Sequence, residues 1–422
     1  MSEAAIHVTG LHAFMSATVL LTLGRLPKGL DIARSFHALG WRVVIAEPFG
    51  WHLCALSRSV ARSYQIAAPN DDPAGFRRDL SRIIEREDVD LIIPVSEEIV
   101  HVSAAVSALG KASLFFGQKP EDLLKLHDKF AFARLLEAAG LPYPHTELGG
   151  SDEADRMLKG RACVIKDRFG ASGINIRFTS PGEVAGPINE DSLVQERLVG
   201  TELSTFSIVH AGKVSATVVY QPVIRDATVA TVFERLAIDH PHARAAAEFI
   251  DAVAAFTGHS GFLSFDLMID EGGRAVAFEC NPRANSGIHF LVEADIARAI
   301  VHGDVRPRFD AADRMQQAFP TLTLLWGSFG RWPRYREIGA ALFSAKDVSW
   351  SWRDPLPFIL MTPAAWPVLR QSIFEGRSLG EAAIRDIGWF GPPAKALRSS
   401  DEAATNQVES PDHQHDQRDL SK

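Results

Sequence analysis

The sequence predicts an α/β protein that begins with an open parallel sheet. An apolar strand at residues 17–23 is followed by a helix at 30–39 and by a second strand at 42–46. A helical stripe of apolar residues at 76–84 then precedes a third strand at 91–95. This alternation is typical of β–α–β units, and ligands of such sheets bind at the carboxyl ends of the strands.

The loop after the third strand is acidic. Ser96, Glu97 and Glu98 precede a predicted helix. We interpret them as an ordinary N-cap whose acids complement the helix dipole, with a ligand-binding loop as the alternative.

The composition is that of a globular protein. The chain has 422 residues, of which 46% are hydrophobic and 23% are charged, and this length suits two or three domains with their own cores. The formal net charge is −8, and no block rich in lysine and arginine is present, so we expect no nucleic-acid partner. Cys54, Cys163 and Cys280 are too scattered for a disulfide framework or a zinc site, which favours a cytoplasmic location.

An apolar run near the start of the chain resembles a targeting segment. Polar side chains, among them His7, His12 and Ser16, interrupt residues 6–23, and no basic segment precedes them. We therefore expect neither a targeting segment nor a membrane span, and we interpret residues 1–16 as an N-terminal extension.

A lysine and a loop of small residues follow in the centre of the chain. Residues 163–166 form a short apolar strand that ends at Lys166, and the next residues include Gly170, Ser172 and Gly173. Small residues allow backbone N–H groups to approach phosphate oxygens, and the lysine supplies a positive charge. The sequence therefore predicts a phosphate-binding loop, although a strand–turn–strand hairpin needs the same glycines.

A candidate pocket for a purine lies at residues 192–202. A strand ends there, and a short linker leads to Glu202. Backbone groups at the strand end could meet the purine edge, the Gln195 side chain could reach the exocyclic amine, and Glu202 could accept hydrogen bonds from ribose hydroxyls. The alternative is that Glu202 is a solvated surface acid.

The most informative stretch is residues 261–283. Asp266 ends an apolar strand, residues 270–274 read as a hairpin loop, and the returning strand leads to Glu279, so the two acids should face each other. Together with Asn281 they offer the hard oxygen ligands that Mg²⁺ prefers, and Arg283 could bind a transferring phosphoryl group. The alternative is a solvated hairpin, but the flanking residues are apolar and unpaired carboxylates are costly there.

Taken together, these segments resemble the ATP-grasp superfamily over residues 17–305. The motifs, in order, are D-K-F-x-F at 128–132 with G-L-P-x-P after it, V-I-K-x-x-x-G-x-S-G at 164–173, Q-E-x-x-x-G-x-E at 195–202, and the F-D to E-C-N-P-R pair at 265–283. The resemblance implies an ATP-grasp fold, in which a doubly wound pre-grasp domain precedes two α+β subdomains that clamp ATP and a small C-terminal domain.

The resemblance also implies a role for individual residues. The residues expected to contact nucleotide phosphates are Lys129, Lys166, Gly170, Ser172 and Gly173. Those expected to hold adenine and ribose are Gln195, Glu196, Leu198 and Glu202. The expected ligands of Mg²⁺, or of Mn²⁺, are Asp266, Glu279 and Asn281, and the expected catalytic residues are Arg283 and Lys166.

One position departs from the family pattern. Some amide-forming members have an arginine two residues before the first metal acid, where this chain has Ser264. Arg225 and Arg235 are candidates to replace it, with ordinary surface arginines as the alternative.

The chain divides into five predicted parts. They are an N-terminal extension (1–16), a pre-ATP-grasp domain (17–127), an ATP-grasp domain (128–305, with a lid subdomain at about 145–200), a tryptophan-rich C-terminal domain (306–397) and a disordered tail (398–422). The C-terminal domain holds six of the eight tryptophans. We interpret this cluster as the packing of a small domain, with an acceptor pocket or a dimer face as alternatives.

A narrower likeness concerns the substrate. Segments at 34–40, 68–75, 128–132, 279–283 and 354–358 look like the mycosporine-glycine synthase type of ATP-grasp enzyme, which joins glycine to the cyclohexenone 4-deoxygadusol. The glycine loop and His289 follow that group less closely.

The resemblance implies an ATP- and Mg²⁺-dependent ligase. We expect it to join an amine or amino acid to a small-molecule acceptor whose carboxylate or enol-type oxygen is activated by phosphorylation, and we expect a homodimer. The alternatives are a component like a carboxylase or carbamoyl-phosphate synthase, and a non-catalytic ATP-binding sensor.

Overall fold

The computed structural model describes residues 17–170, 175–183, 186–226 and 229–391. The predicted extension at 1–16, the predicted tail at 398–422, and the loop residues Ser172 and Gly173 lie outside these ranges. Within the described residues the strands form a four-stranded N-terminal sheet, a four-stranded small sheet and a seven-stranded large sheet.

The N-terminal sheet confirms the predicted alternation of strands and helices. Its elements are β1 (Thr18–Leu21), α1 (Pro27–Ala38), β2 (Arg42–Glu47), β3 (Arg62–Gln65), α2 (Pro73–Glu87), β4 (Leu91–Ile93) and α3 (Ile99–Ala108). The strand order is β3-β2-β1-β4, and all neighbours are parallel. Val19 and Leu21 pack in the same cluster as apolar residues of α1, whereas Leu20 packs with apolar residues of α2. Helices therefore cover both faces, as in a doubly wound domain.

Two helices and the small sheet follow. Their bounds are α4 (Pro120–His127), α5 (Lys129–Ala138), β5 (Thr146–Leu148), α6 (Asp152–Gly160), β6 (Cys163–Asp167), β7 (Arg177–Thr179) and β8 (Ser192–Glu196). The sheet order is β5-β8-β6-β7, with antiparallel neighbours. Asp128 caps α5 by accepting from the amides of Phe130 and Ala131, and it also pairs with Arg168 at 2.7 Å. This cap therefore joins the start of α5 to the loop after β6.

The large sheet carries the predicted metal hairpin. Its strands are β9 (Thr201–His210), β10 (Lys213–Asp226), β11 (Val229–Arg235), β12 (Gly261–Ile269), β13 (Ala275–Asn281), β14 (Arg314–Gln316) and β15 (Lys346–Asp347). Helix α7 (Pro241–Thr257) precedes β12 in the chain, and α8 (Glu293–Val301) follows β13. The order is β13-β12-β9-β10-β11-β14-β15. The last two strands follow residue 305, so this sheet extends into the region predicted as a C-terminal domain.

The C-terminal region is otherwise helical. Its helices are α9 (Ala318–Gly327), α10 (Trp332–Ser344), α11 (Leu356–Ile359), α12 (Met361–Ala364), α13 (Trp366–Glu375) and α14 (Leu379–Ile384). Trp326, Trp332, Trp352 and Trp366 are exposed, so these four do not form the core of a small domain as we predicted. No helix in the described ranges is long and apolar enough to span a membrane.

Buried ion pairs join this region to the N-terminal sheet. Arg25, just before α1, binds Glu47 at 2.5 Å and Asp386 at 2.7 Å, and all three side chains are almost fully buried. Within α1, Arg34 binds Asp354 at 3.0 Å. The position of α1 therefore depends on C-terminal residues.

Candidate active site

The three predicted metal ligands lie together at the end of the β12–β13 hairpin. Asp266 and Glu279 are cross-strand partners, and a register irregularity follows Asp266. The Ser204 hydroxyl donates to Asp266 Oδ1 at 2.6 Å, and Asn281 Nδ2 donates to Asp266 Oδ2 at 3.3 Å. The hairpin therefore places both carboxylates and the amide on one small surface.

The electrostatics of this surface suit a divalent cation. Burial, together with the neighbouring Glu279 carboxylate, raises the pKa of Asp266 to about 6. Lys129 Nζ is 3.7 Å from Glu279 Oε1. Two opposed carboxylates and an amide match the oxygen donors that Mg²⁺ takes while keeping some of its waters. The described residues contain no group of three or more His, Cys, Asp or Glu side chains that could hold a metal, since the third predicted ligand is an asparagine.

The two predicted lysines converge on β13. Lys129 is the first residue of α5, and its Nζ donates to the carbonyl oxygen of Gly170. Lys166 lies in β6, and its Nζ donates to the carbonyl oxygen of Phe278 at 3.0 Å. Burial lowers the pKa of Lys166 to about 8. A buried cation bonded to a neutral carbonyl is suited to binding an anion such as a phosphate.

The predicted adenine-binding residues have partners within the chain. Gln195 is buried, and its Nε2 donates to Thr146 Oγ1 at 2.9 Å, so its side chain lies toward β5 rather than free for a purine. Glu196 lies 3.4 Å from Arg161, and Leu198 is half-buried in the link between β8 and β9.

The predicted ribose acid, Glu202, is exposed on β9 and binds Arg225 at 2.5 Å. Arg225 therefore belongs to this pair in the structure rather than to the position of the missing family arginine. Arg235 pairs with Asp313 and lies over the Phe309 ring. Among the ion pairs between described residues, those of the two arginines are with Glu202 and Asp313 and not with the metal carboxylates.

Arg283 links the metal hairpin to the N-terminal sheet. Its Nη2 is 2.5 Å from Glu97 Oε1 and 3.1 Å from Asn281 Oδ1. Burial alone would lower its pKa, but the Glu97 carboxylate holds the pKa of Arg283 above its ordinary value. The Ser264 hydroxyl donates to the carbonyl oxygen of Arg283 at 2.9 Å, so Ser264 helps to hold the main chain of Arg283 in place.

Our sequence reasoning missed the contribution of the N-terminal sheet. Lys28 Nζ donates to the carbonyl oxygen of Ala284 at 2.7 Å and to Ser96 Oγ at 2.9 Å. Glu98 accepts from the Val95 amide at 2.6 Å, and no side-chain bond caps the start of α3. The interpretation of this loop as an ordinary N-cap was wrong, because Glu97 is used by Arg283. The signal that could have identified it is its place after a parallel strand.

Comparison with known proteins places this geometry in a family context. Residues 126–287, which include every predicted site residue from Lys129 to Arg283, match the sequence model of the ATP-grasp domain. No curated protein sequence matches the chain.

Several solved structures are similar in fold. The biotin carboxylase β–γ-ATP complex from Campylobacter jejuni gives a TM-score of 0.56 at 16% identity, covering 71% of this chain and 73% of that one. L-amino acid ligase from Bacillus licheniformis gives 0.54 at 14%, covering 69% and 75%. N5-carboxyaminoimidazole synthetase from Staphylococcus aureus, complexed with ADP, gives 0.58 at 17%, covering 75% and 86%. At these identities the likeness establishes the fold.

Proposed function

Since residues 126–287 match the model of the ATP-grasp domain, we propose that the chain is an ATP-dependent, ADP-forming carbon–nitrogen ligase. In the first step an acceptor oxygen attacks the γ-phosphorus of ATP, so that a phosphate ester or acyl phosphate forms and ADP leaves. In the second step an amine attacks the activated carbon, the carbon–oxygen bond to phosphate breaks, and the amine loses a proton. The products are the joined compound, ADP and phosphate.

The observation that carries the proposal is the convergence of opposite charges on β13. Lys166 contacts the main chain at Phe278, Lys129 lies beside Glu279, and Arg283 bonds to Asn281. Phosphoryl transfer requires alignment and charge neutralisation more than covalent help from the protein. Three cations around two carboxylates on adjacent strands supply both, although Asp266 lies inside β12 and does not end it as we predicted.

The residues fit Mg²⁺ or Mn²⁺ together with ATP. Asp266, Glu279 and Asn281 would hold the metal. Asn281 Oδ1, which accepts a hydrogen bond from Arg283, would then bind the metal instead. When bound, the metal would supply positive charge that offsets the charge of the phosphates. The chain's own work is then to bind the phosphates through Lys129 and Lys166 and to orient the transferring group through Arg283.

The part of the chain at about 145–200 is proposed as a lid. It contributes Lys166 and Gly170, whose contacts reach Phe278 and Lys129. Closure over ATP would exclude water and protect the phosphorylated intermediate from hydrolysis. A nucleotide-bound structure in which this part stays apart from β13 would contradict the proposal.

We propose an amine or amino acid as the nucleophile and a carboxylate or an enol-type oxygen as the acceptor. The resemblance to the mycosporine-glycine synthase type makes glycine and 4-deoxygadusol the first pair to test. A carboxylase-like reaction with bicarbonate as the acceptor is the second candidate, because a biotin carboxylase domain solved with MgADP and bicarbonate, from Hydrogenobacter thermophilus 2-oxoglutarate carboxylase, has a similar fold.

The test is ADP release from ATP and Mg²⁺. Each acceptor (4-deoxygadusol, a panel of carboxylic acids, and bicarbonate) is supplied with and without glycine or another amino acid, and Glu279→Gln is the control. Turnover that needs an acceptor and an amine, and is lost in the variant, supports the ligase. Turnover with bicarbonate alone supports the second candidate. Tight ATP binding with no acceptor-dependent turnover supports a nucleotide sensor.

A further inference from the structure

We infer that Lys28 and Ser96, next to Arg283, form the acceptor end of the site and bind an anionic oxygen of the acceptor. The inference rests on the proposed function and adds the charge class of the acceptor and the residues that select it. Among the residues that the structure describes, no predicted nucleotide or metal residue is hydrogen-bonded to Lys28 or Ser96.

Three lysines contact successive positions along β13 and the residues after it. Lys166 contacts the carbonyl oxygen of residue 278, Lys129 lies beside Glu279, and Lys28 contacts the carbonyl oxygen of residue 284. Lys166 precedes the predicted phosphate loop, and Lys129 donates to the carbonyl oxygen of Gly170 in that loop, so both mark the phosphate end. In phosphoryl transfer the attacking oxygen and the leaving oxygen lie on opposite sides of the phosphorus. The acceptor is therefore expected on the Lys28 side of Arg283.

Lys28 has an N–H donor to spare for a ligand. Its two hydrogen-bond partners, Ser96 Oγ and the carbonyl oxygen of Ala284, are both neutral. An ammonium group has three N–H donors, so one is left for a ligand. The described residues give Lys28 no salt bridge, because the nearby Glu97 binds Arg283 and Glu98 binds the backbone of its own loop. A partly buried cation with neutral partners favours an anion as its next neighbour.

The guanidinium group of Arg283 is only partly hydrogen-bonded within the described residues. Its Nη2 is paired with Glu97, but its Nε is buried and has no hydrogen-bond partner among the residues that the structure describes. Two cationic groups, Lys28 and Arg283, therefore each have donor capacity to spare in the same place. Burial and the charge of Arg283 lower the pKa of Lys28 to about 7 against the opposing effect of the Glu97 and Glu98 carboxylates, so a further anion beside Lys28 would stabilise its charged form.

These properties define the acceptor. A carboxylate or an enolate brings a negative charge to the spare donors of both groups, and it needs no base, since its oxygen already carries the electron pair that forms the new bond to phosphorus. The oxygen–phosphorus bond forms as the bond from the γ-phosphorus to ADP breaks. Lys28 holds the acceptor in line and transfers no proton in this step.

Steady-state kinetics provide the first test. The acceptor that gives the highest rate with the wild-type protein is chosen from the panel. Its concentration is varied at saturating ATP, and the ATP concentration is then varied at saturating acceptor. In Lys28→Gln we expect the KM for the acceptor to rise about 10- to 100-fold, the worth of a charge-assisted hydrogen bond, while the KM for ATP changes less than about twofold. Lys28→Arg should recover part of the loss, and Lys111→Gln, at an exposed lysine of the same region, should behave as wild type.

The second test does not depend on turnover. Limited acetylation with acetic anhydride near neutral pH, located by mass spectrometry, measures the reactivity of the Lys28 amine in the wild-type protein with ATP analogue and Mg²⁺ present. Anionic acceptors of the panel should protect Lys28, and their neutral amide analogues should not.

The outcomes separate the two proposals. Wild-type turnover without protection of Lys28, or with an unchanged acceptor KM in Lys28→Gln, overturns this inference and leaves the ligase intact. Protection by anionic acceptors without turnover supports the acceptor site and contradicts the ligase. Neither turnover nor protection with any member of the panel overturns both.

Discussion

Replacing Arg25 with methionine should destabilise the protein strongly. The guanidinium donates to Glu47 Oε1 at 2.5 and 2.8 Å and to the two carboxylate oxygens of Asp386 at 2.7 and 2.9 Å. The side-chain exposures are 2% for Arg25, 0% for Glu47 and 4% for Asp386. Removing the cation leaves two buried carboxylates without a counter-charge. Breaking a buried pair in this way costs about 3–5 kcal/mol, and two stranded acids place the expected loss toward the upper end of that range.

The measurement is urea-induced unfolding at pH 7, followed by tryptophan fluorescence and by far-ultraviolet circular dichroism. Coincidence of the two transitions establishes a single cooperative step, which is needed to convert midpoints into free energies. The control is Arg377→Gln, which removes an exposed ion pair with Glu375 and should cost less than about 1 kcal/mol.

Neutralising the acids provides a second check on the cause. The triple variant with Arg25→Met, Glu47→Gln and Asp386→Asn should be more stable than Arg25→Met alone, because no buried charge remains. A loss in Arg25→Met no larger than in Arg377→Gln would refute the reasoning, since it would mean that the two acids are readily solvated or protonated.

Three further predictions concern the site, its link and the pH dependence of stability. Glu279→Gln should lower Mg²⁺ affinity by about 100-fold or more, measured by calorimetric titration of Mg²⁺ in the presence of an ATP analogue, while the melting temperature stays close to wild type. Gly200→Ala should cost about 1–3 kcal/mol in thermal unfolding, because Gly200 has φ +155° and an added Cβ would lie 2.0 Å from a β12 carbonyl oxygen; Gly327→Ala, with open space around it, should not. Burial lowers the pKa of His259 to about 4, below the unfolded value near 6.5, so the unfolded chain binds more protons between these values. Stability should therefore fall as the pH drops from about 6.5 to 4, by up to about 3 kcal/mol, and the slope of unfolding free energy against pH should flatten in His259→Gln. An unchanged slope in that variant would assign the pH dependence to other groups.

The metal hairpin could be predicted because its signals are local. A strand, a loop rich in turn residues and a returning strand fix which residues face each other, and Asp266 and Glu279 are cross-strand partners as expected. The same holds for Lys166, which ends an apolar run and lies in β6. Local pattern therefore gave both the acids and one cation of the candidate site.

The partner of a polar side chain was less predictable. Gln195 was expected to reach a purine, but β5 pairs with β8 and places Thr146 opposite it, so the two side chains bond to each other. Strand pairing between segments about fifty residues apart decides this contact, and the hydrophobic pattern of either strand alone does not. The short strands β14 and β15 were missed for the same reason, since two or three residues carry no periodicity of their own.

The acceptor end was missed because it depends on the longest contacts in the site. Lys28 meets Ala284 across 256 residues of sequence, and Glu97 meets Arg283 through the docking of the N-terminal sheet against the hairpin. The sequence placed the acidic loop at the carboxyl end of a strand, which left a ligand-binding loop as the alternative, but it gave no sign of what Lys28 contacts. Its role became visible when the structure showed which strand it faces.

The C-terminal region contributes no predicted site residue, yet the contacts of α1 give it a part in the site. Arg25 lies three residues before Lys28 and is held by Asp386, and Arg34 lies six residues after it and is held by Asp354. Both bonds are buried, and together they fix the two sides of the residue that we place at the acceptor. Loosening either bond should therefore shift Lys28 relative to Arg283 while leaving Lys129, Lys166 and the carboxylates in place. On this reasoning the C-terminal region helps to determine how well the acceptor is held.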